Sequence, residues 1–459
     1  MRFARSGAIG YRLNAGLSAP GQCLSVGQRV TSDPLAHAVD AAMMVAPIHA
    51  AIATLPRRSD ARLPRGVRAT KEVALSHHVR SLALLLALSP GLLLSPLAHA
   101  QGTEQVKQAP KPVDLDSVLA QAMAGTATPA LGALVIREGK VAEHAVRGLR
   151  HNDRPEQVSL DDAWLIGSTA KPMTVALLAR LVDKGVLSWD GTLAALLPDL
   201  ARAMRPEYRT VTLKQLLSHR SGLAENLRDE KALDAFFTDA RPLPVQRLAL
   251  VRAALAEAPA AAPGSKFNYS NTGFLIAALI AERATGKHFE DLMQDEVFHP
   301  LGMTSAAFGP VPDSGIHGHR AGKPVGPMLK SDDGVPMVYT SAGNVHMGLQ
   351  DWARFCLDQL AGSRSEGALL SPASYRLMQT AQPGNASGLD WGVQDSIGGR
   401  NGPVLVHGGS DGNWLAWVVL FPASRSGALV IANAADDMGA DKATHAVVGA
   451  ILPSLSTAK

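Results

Sequence analysis

The chain has 459 residues, 46% apolar and 18% charged. That is long enough for a large core or two domains, and the composition excludes collagen-like, coiled-coil and extensively disordered chains. The first hundred residues hold 11 of the 44 Lys+Arg and 4 of the 40 Asp+Glu, which leaves the remainder at −3 and implies no basic face for nucleic acid.

Residues 1–70 are rich in Arg and Ala and show no sustained period. Arg80 then precedes an apolar run, 81–94, followed by Pro96 and the small-x-small triplet Ala98-His99-Ala100 before Gln101. This is the layout of a secretory signal peptide cut after Ala100. The run is short for a bilayer span and is broken by Pro90 and Gly91, so no stable membrane insertion is expected after cleavage. The organisation read from this is a leader over 1–78 that is non-native or disordered, a signal peptide over 79–100, a polar linker over 101–113, and a folded domain over 114–459. A natural start near Val73 or Val79 and a secreted or periplasmic location follow. Cys356 is the one thiol of the mature part, Cys23 lying in the leader, so no internal disulfide can form. The helical spacing of 351–357 marks Cys356 as a buried apolar thiol.

Within the domain, 113–124 has helical apolar spacing, and 131–137 with 141–147 are β-rich runs around Glu138-Gly139-Lys140, a hairpin signal. A helix opens at Ser168 and ends near Gly185. Helical patterns follow over 212–218, 233–237, 245–257, 272–285 and 289–297. The texture then changes to strands over 404–410, 414–421 and 428–433, and a helix closes at 442–452. The pattern predicts an α+β fold: an antiparallel sheet assembled from both ends, flanked by helices, with a helical region over about 175–330 inserted.

Three clusters carry chemistry. In Ser168-Thr169-Ala170-Lys171, Ser168 and Lys171 share one face of a helix, and Pro172 is tolerated where first-turn amides have no intrahelical acceptor. A helix N-terminus favours developing negative charge, and a lysine kept neutral by burial can take the serine proton. The tetrapeptide recurs at 456–459 without an apolar helix behind it, so the spacing alone is not the signal. In Tyr269-Ser270-Asn271, extended backbone points Tyr269 and Asn271 the same way. A phenol beside Lys171, its pKa lowered, could relay protons, and the Asn271 amide could hold the substrate and the lysine; the plainer reading is Asn271 as helix N-cap and Tyr269 as packing. In His407-Gly408-Gly409-Ser410, a strand runs into a glycine-lined edge whose Ser410 amide could join that of Ser168 as an oxyanion hole.

With these motifs the chain resembles the serine β-lactamase and DD-peptidase superfamily, in particular its class C-like branch of secreted esterases and D-aminopeptidases. Ser168-x-x-Lys171, Tyr269-x-Asn271 and His407-x-Gly409 match its three motifs, as do the phrases at 212–223, 300–303 and 341–344. The resemblance implies the β-lactamase/transpeptidase-like fold, Ser168 as the acylated residue, Lys171 and Tyr269 as its proton carriers, and no cofactor. Asn271, His407, Gly409 and Ser410 would bind the substrate, a small ester, amide or peptidoglycan-like peptide. His407 stands where true class C β-lactamases usually carry a lysine, which turns the expectation toward an ester, amide or D-amino-acid peptide bond. A true class C β-lactamase and a non-catalytic penicillin- or peptidoglycan-binding protein are the alternatives. No feature of the sequence sets the oligomeric state.

Two further readings compete. Gly408-Gly409-Ser410-Asp411-Gly412 has the form of a nucleophile elbow, with Asp436 or Asp441 and His445 downstream, but an elbow requires a helix directly after the serine and 413–421 is β-rich. His317-Gly318-His319 could ligate a metal, yet no His-Glu-x-x-His or Cys pair accompanies it; His77 and His78 lie in the leader, and His219 and His299 fall in phrases read as structural.

Overall fold

The computed structural model describes residues 112–312, 314–326 and 335–455. The leader, the signal peptide, the linker up to residue 111 and the tetrapeptide at 456–459 lie outside the described residues.

Strands β1 (Ala130–Arg137), β10 (Leu415–Phe421) and β11 (Ser426–Ala432) read as near-continuous apolar runs because both faces of their sheet are covered. Successive side chains go to opposite faces. Leu134, Ile136, Val418 and Leu420 enter one core, while Leu131, Ala133, Val419 and Phe421 enter the other. The second core is closed by the terminal helices α1 (Leu115–Met123) and α8 (Ala440–Ile451), through Leu115, Leu119, Val447, Val448 and Ile451.

With β2 (Lys140–Gly148), β8 (Gly392–Ile397) and β9 (Arg400–Ser410), the strands form a six-stranded sheet in the order β2-β1-β11-β10-β9-β8, antiparallel throughout. The first and last strands therefore meet in mid-sheet, where Leu131 sits opposite Ala432. The β8–β9 ladder stops at Gly392 opposite Val406, while β9 runs on to Ser410.

Between β2 and β8 the chain carries the short strands β3 (Trp164–Leu165), β4 (Ala307–Phe308), β5 (Gly318–Arg320), β6 (Lys323–Val325) and β7 (Val345–Met347) and is otherwise mainly helical. It makes α2 (Lys171–Asp183), α3 (Leu213–Leu217), α4 (Leu243–Ala256), α5 (Asn271–Thr285), α6 (Leu349–Gly362) and α7 (Pro372–Gln379). Two of these are buried almost all round: α2 from Lys171 to Ala179, and α5 from Thr272 to Glu282. Capping defines the ends: Ser270 Oγ accepts from Gly273 N at the start of α5, Gly286 closes it at φ 72°, and Thr212 and Gln215 form a capping box on α3. Ser270, not Asn271, is the N-cap.

A 3₁₀ turn, Gly167–Ala170, leads into α2 and lies against the far end of β9, beyond the last rung of β8. Contact there is backbone to backbone. A Cβ on Gly409 would meet Ile166 O at 2.4 Å and the amides of Ser168 and Thr169 at 2.8 Å, and one on Gly167 would meet Ser410 N at 2.8 Å. Gly409→Ala should therefore force the turn away from the strand. It is expected to cost about 1–3 kcal/mol, as overpacking does, and to abolish turnover; denaturant melts and a rate assay on the one variant check both.

Candidate active site

The turn holds Ser168 at the entrance to α2, whose first-turn amides have no intrahelical acceptor. Pro172 sits in the first turn of α2, where its missing N–H costs nothing. One helical turn on, Lys171 is wholly buried, yet its Nζ lies 2.9 Å from Ser168 Oγ and donates to the Ala342 carbonyl at 2.5 Å. The rings of Tyr269 and Phe274 lie 5.0 and 5.6 Å from that nitrogen. Burial pushes its pKa down to about 7 against the raising fields of Asp390 and Glu225. A large fraction of Lys171 is thus neutral near pH 7 and able to accept the Ser168 proton.

From the other side, Tyr269 Oη donates to Ser168 Oγ at 2.9 Å. The expectation of a lowered phenol pKa fails. Burial, and then the Asp390 charge, raise it well above its ordinary value, outweighing the hydrogen bond with Ser168. Desolvation disfavours phenolate more than a half-neutral amine 5.0 Å from the ring can favour it. Tyr269 stays a phenol and a proton donor.

Asn271 differs from the sequence reading too. It opens α5 rather than extending the strand-like segment, and its Nδ2 donates to Asn226 Oδ1 at 3.0 Å. Lys171 is held by Ser168 and Ala342 instead, so the lysine-holding group is a main-chain carbonyl that no side-chain motif announces. Gly343, at φ +157°, brings this segment against the turn: a Cβ there would lie 3.1 Å from Ser168 N.

His407 and Gly409 lie on β9 at the open strand end, and Ser410 closes it. A Cβ on Gly167 would meet Ser410 N and one on Gly409 would meet Ser168 N, each at 2.8 Å, so the turn and the end of β9 pack main chain against main chain beside Ser168. Ser410 Oγ itself accepts from Gly412 N at 3.0 Å, and the chain passes through a turn straight into β10, so the helix of a nucleophile elbow is absent. His407 Nδ1 faces Gly408 O at 2.7 Å, and its Nε2 lies 3.0 Å from Asp390 Oδ2. Asp390 in turn meets His219 Nε2 through Oδ1 at 3.0 Å. Asp390 was not named from the sequence, and His219 was read there as structural. Asp390 lies two residues before β8, the strand paired with β9, a placement that only the fold reveals.

The rival chemistries find no support among the described residues. No group of three or more His, Cys, Asp or Glu is arranged to hold a metal. His319 accepts from Asn152 N at 3.1 Å through Nε2 and faces Asn433 O at 2.8 Å through Nδ1, while His317 packs on His151 with ring centroids 3.9 Å apart. Cys356 is buried and its thiol pKa raised by that burial, so it is no nucleophile. No described helix is long and apolar enough to cross a membrane.

A hydroxyl in contact with a desolvated amine and a phenol, on a helix entrance facing a glycine-edged strand, is the arrangement of a serine hydrolase. The Beta-lactamase family profile matches residues 115–451, and the chain belongs to that family. It is 29% identical to Penicillin-binding protein 4 of Amycolatopsis lactamdurans over 327 residues, 66% of this chain and 81% of that one. It is 27% identical to the D-alanyl-D-alanine-carboxypeptidase/endopeptidase AmpH of Escherichia coli K12 over 289 residues, 61% and 72% of the two. Among solved structures, a D-stereospecific amidohydrolase from Streptomyces superposes with a TM-score of 0.56 at 21% identity, over 72% of this chain and 98% of that one, a likeness of fold. The β-lactamase/transpeptidase-like fold is thus the fold of this chain.

With Lys171 as the base that takes the Ser168 proton, the rate of fluorophosphonate labelling should rise about tenfold per pH unit below its pKa of about 7 and level off above it. Lys171→Ala should lower the plateau by about 10²–10⁴-fold, the contribution of a positioned general base, with the far-ultraviolet circular dichroism unchanged. A near-wild-type plateau in that variant would contradict the role given to Lys171.

Proposed function

We propose that the protein is a secreted hydrolase that cleaves an ester, an amide or a D-amino-acid peptide bond through an acyl-enzyme on Ser168. The observation that carries this reading is the placing of Ser168 Oγ at 2.9 Å from both Lys171 Nζ and Tyr269 Oη. Neutral Lys171 takes the hydroxyl proton as Oγ attacks the carbonyl carbon, and the amides of Ser168 and Ser410 receive the oxyanion. Tyr269, kept protonated by burial, gives a proton to the leaving group and is recharged from Lys171. Water then enters, and the same groups run in reverse to free the acid.

His407 in place of a permanent cation supports a substrate other than a β-lactam. The printed name of the relative AmpH supports a peptide substrate. Secretion rests on the signal-like run ending at Ala100.

A panel of p-nitrophenyl esters, nitrocefin and D-Ala-D-Ala peptides, followed by intact mass spectrometry, tests the reading. The wild type should turn over an ester or D-peptide faster than nitrocefin and carry a fluorophosphonate adduct on Ser168. Ser168→Ala should lose both, with turnover falling by about 10⁵–10⁶-fold as for nucleophile removal, while Ser410→Ala keeps its adduct. Preferred turnover of nitrocefin would return a true β-lactamase, and absence of any adduct a non-catalytic binder. N-terminal analysis of the natively produced protein should find Gln101 first, and peptides from 1–70 would contradict the leader reading.

A further inference from the structure

Asp390 is a buried carboxylate in an uncommon backbone conformation. Its φ is +70°, in the left-handed region that glycine occupies freely, and its side chain is entirely out of water. A buried charge persists only where partners compensate it, and backbone strain of this kind collects where a site requires it. The partners come from two parts of the fold. Oδ1 lies 3.0 Å from Nε2 of His219, in the loop after α3, and Oδ2 lies 3.0 Å from Nε2 of His407 on β9.

His219 is fixed at both ends. Ser270 N donates to its Nδ1 at 3.1 Å, so that nitrogen offers a lone pair and the ring proton sits on Nε2, where Asp390 accepts it. The ring lies against that of Tyr269, with centroids 4.5 Å apart and planes tilted by 34°. Tyr269 in turn donates to Ser168. An unbroken line of contact thus runs from Asp390 through His219 and Tyr269 to the reacting oxygen, and a second runs from Asp390 to the strand that lines the cleft.

We propose that Asp390 is a positioning residue for the reaction at Ser168: it fixes His219 as the Nε2–H tautomer beneath Tyr269 and ties the same point to His407. The phenol and the strand then keep their places on either side of the hydroxyl. The proposal rests on Ser168 being the nucleophile. The Asp390 charge acts as well. Asp390 and Glu225 are the carboxylates whose fields reach Lys171 and Tyr269, and both raise the Lys171 pKa; His219 and His407 are the ionisable groups facing Asp390, whose own pKa is held low despite burial by the field of His407 and the hydrogen bond of His219.

Asp390→Asn keeps the shape and tolerates the left-handed backbone while removing the charge. Fluorophosphonate labelling of Ser168 should slow by about 10²-fold, the cost of a small misplacement of reacting groups. With one negative charge gone, Lys171 gives up its proton more readily, so the acid limb of the labelling profile should move to lower pH. Labelling within about twofold of wild type, or slower labelling with the limb unmoved, overturns the proposal. Nitrogen-15 spectra of the unaltered protein labelled at histidine supply a measurement independent of folding of the variant and of activity. They should show His219 neutral with its proton on Nε2 at pH 7, and a proton on Nδ1 overturns the proposal. Failure of the nucleophile reading would show differently, as no wild-type adduct on Ser168.

Discussion

A lysine amine taken wholly out of water is the constraint on which the cleft depends. Burying an ammonium ion is costly, and the protein meets that cost by letting the group lose its proton near neutral pH. Its surroundings are accordingly apolar on most sides, from α2 and α5, with polar contact confined to the Ser168 hydroxyl and the Ala342 carbonyl. That carbonyl is itself braced. Thr340, two residues earlier, donates to Glu290 at 2.6 Å, and Glu290 and Glu282 both pair with the buried guanidinium of Arg247. Outside the cleft, a buried guanidinium shared by two carboxylates therefore braces the segment that carries the acceptor of Lys171.

The second constraint is steric. Gly167, Gly343 and Gly409 allow three backbone segments to converge on the Ser168 amide with no side chain between them. Side-chain chemistry at this site is thus only half the device. The other half is main chain brought within contact of main chain, and it belongs equally to the helical region and to the sheet.

The large elements were legible in the sequence because they obey simple periods. Both strands of the first hairpin, the buried α2 and α5, and the last strands and helix were read within a few residues of their bounds. Strand β8 and helix α7 were not read. β8 is polar on its outer face and buries little beyond Gly392 and Ile397, and α7 buries only Ser374, Tyr375 and Met378. Ser168, Lys171, Tyr269 and the glycine-edged strand were recognisable from residue type and spacing. The Ala342 carbonyl and the His219–Asp390–His407 contacts were not, because a carbonyl has no letter of its own and the three residues are 219, 390 and 407 in a chain that only folding brings together. Tyr269 shows the converse: its neighbours were named correctly, but the sign of its shift depends on burial, which spacing does not encode.

The early end of β8 has one more consequence. Among the described residues no strand pairs with the outer rim of β9 past Val406, and that rim lies directly beside Ser168. An open strand edge of this kind is free to pair with an extended backbone from outside the sheet.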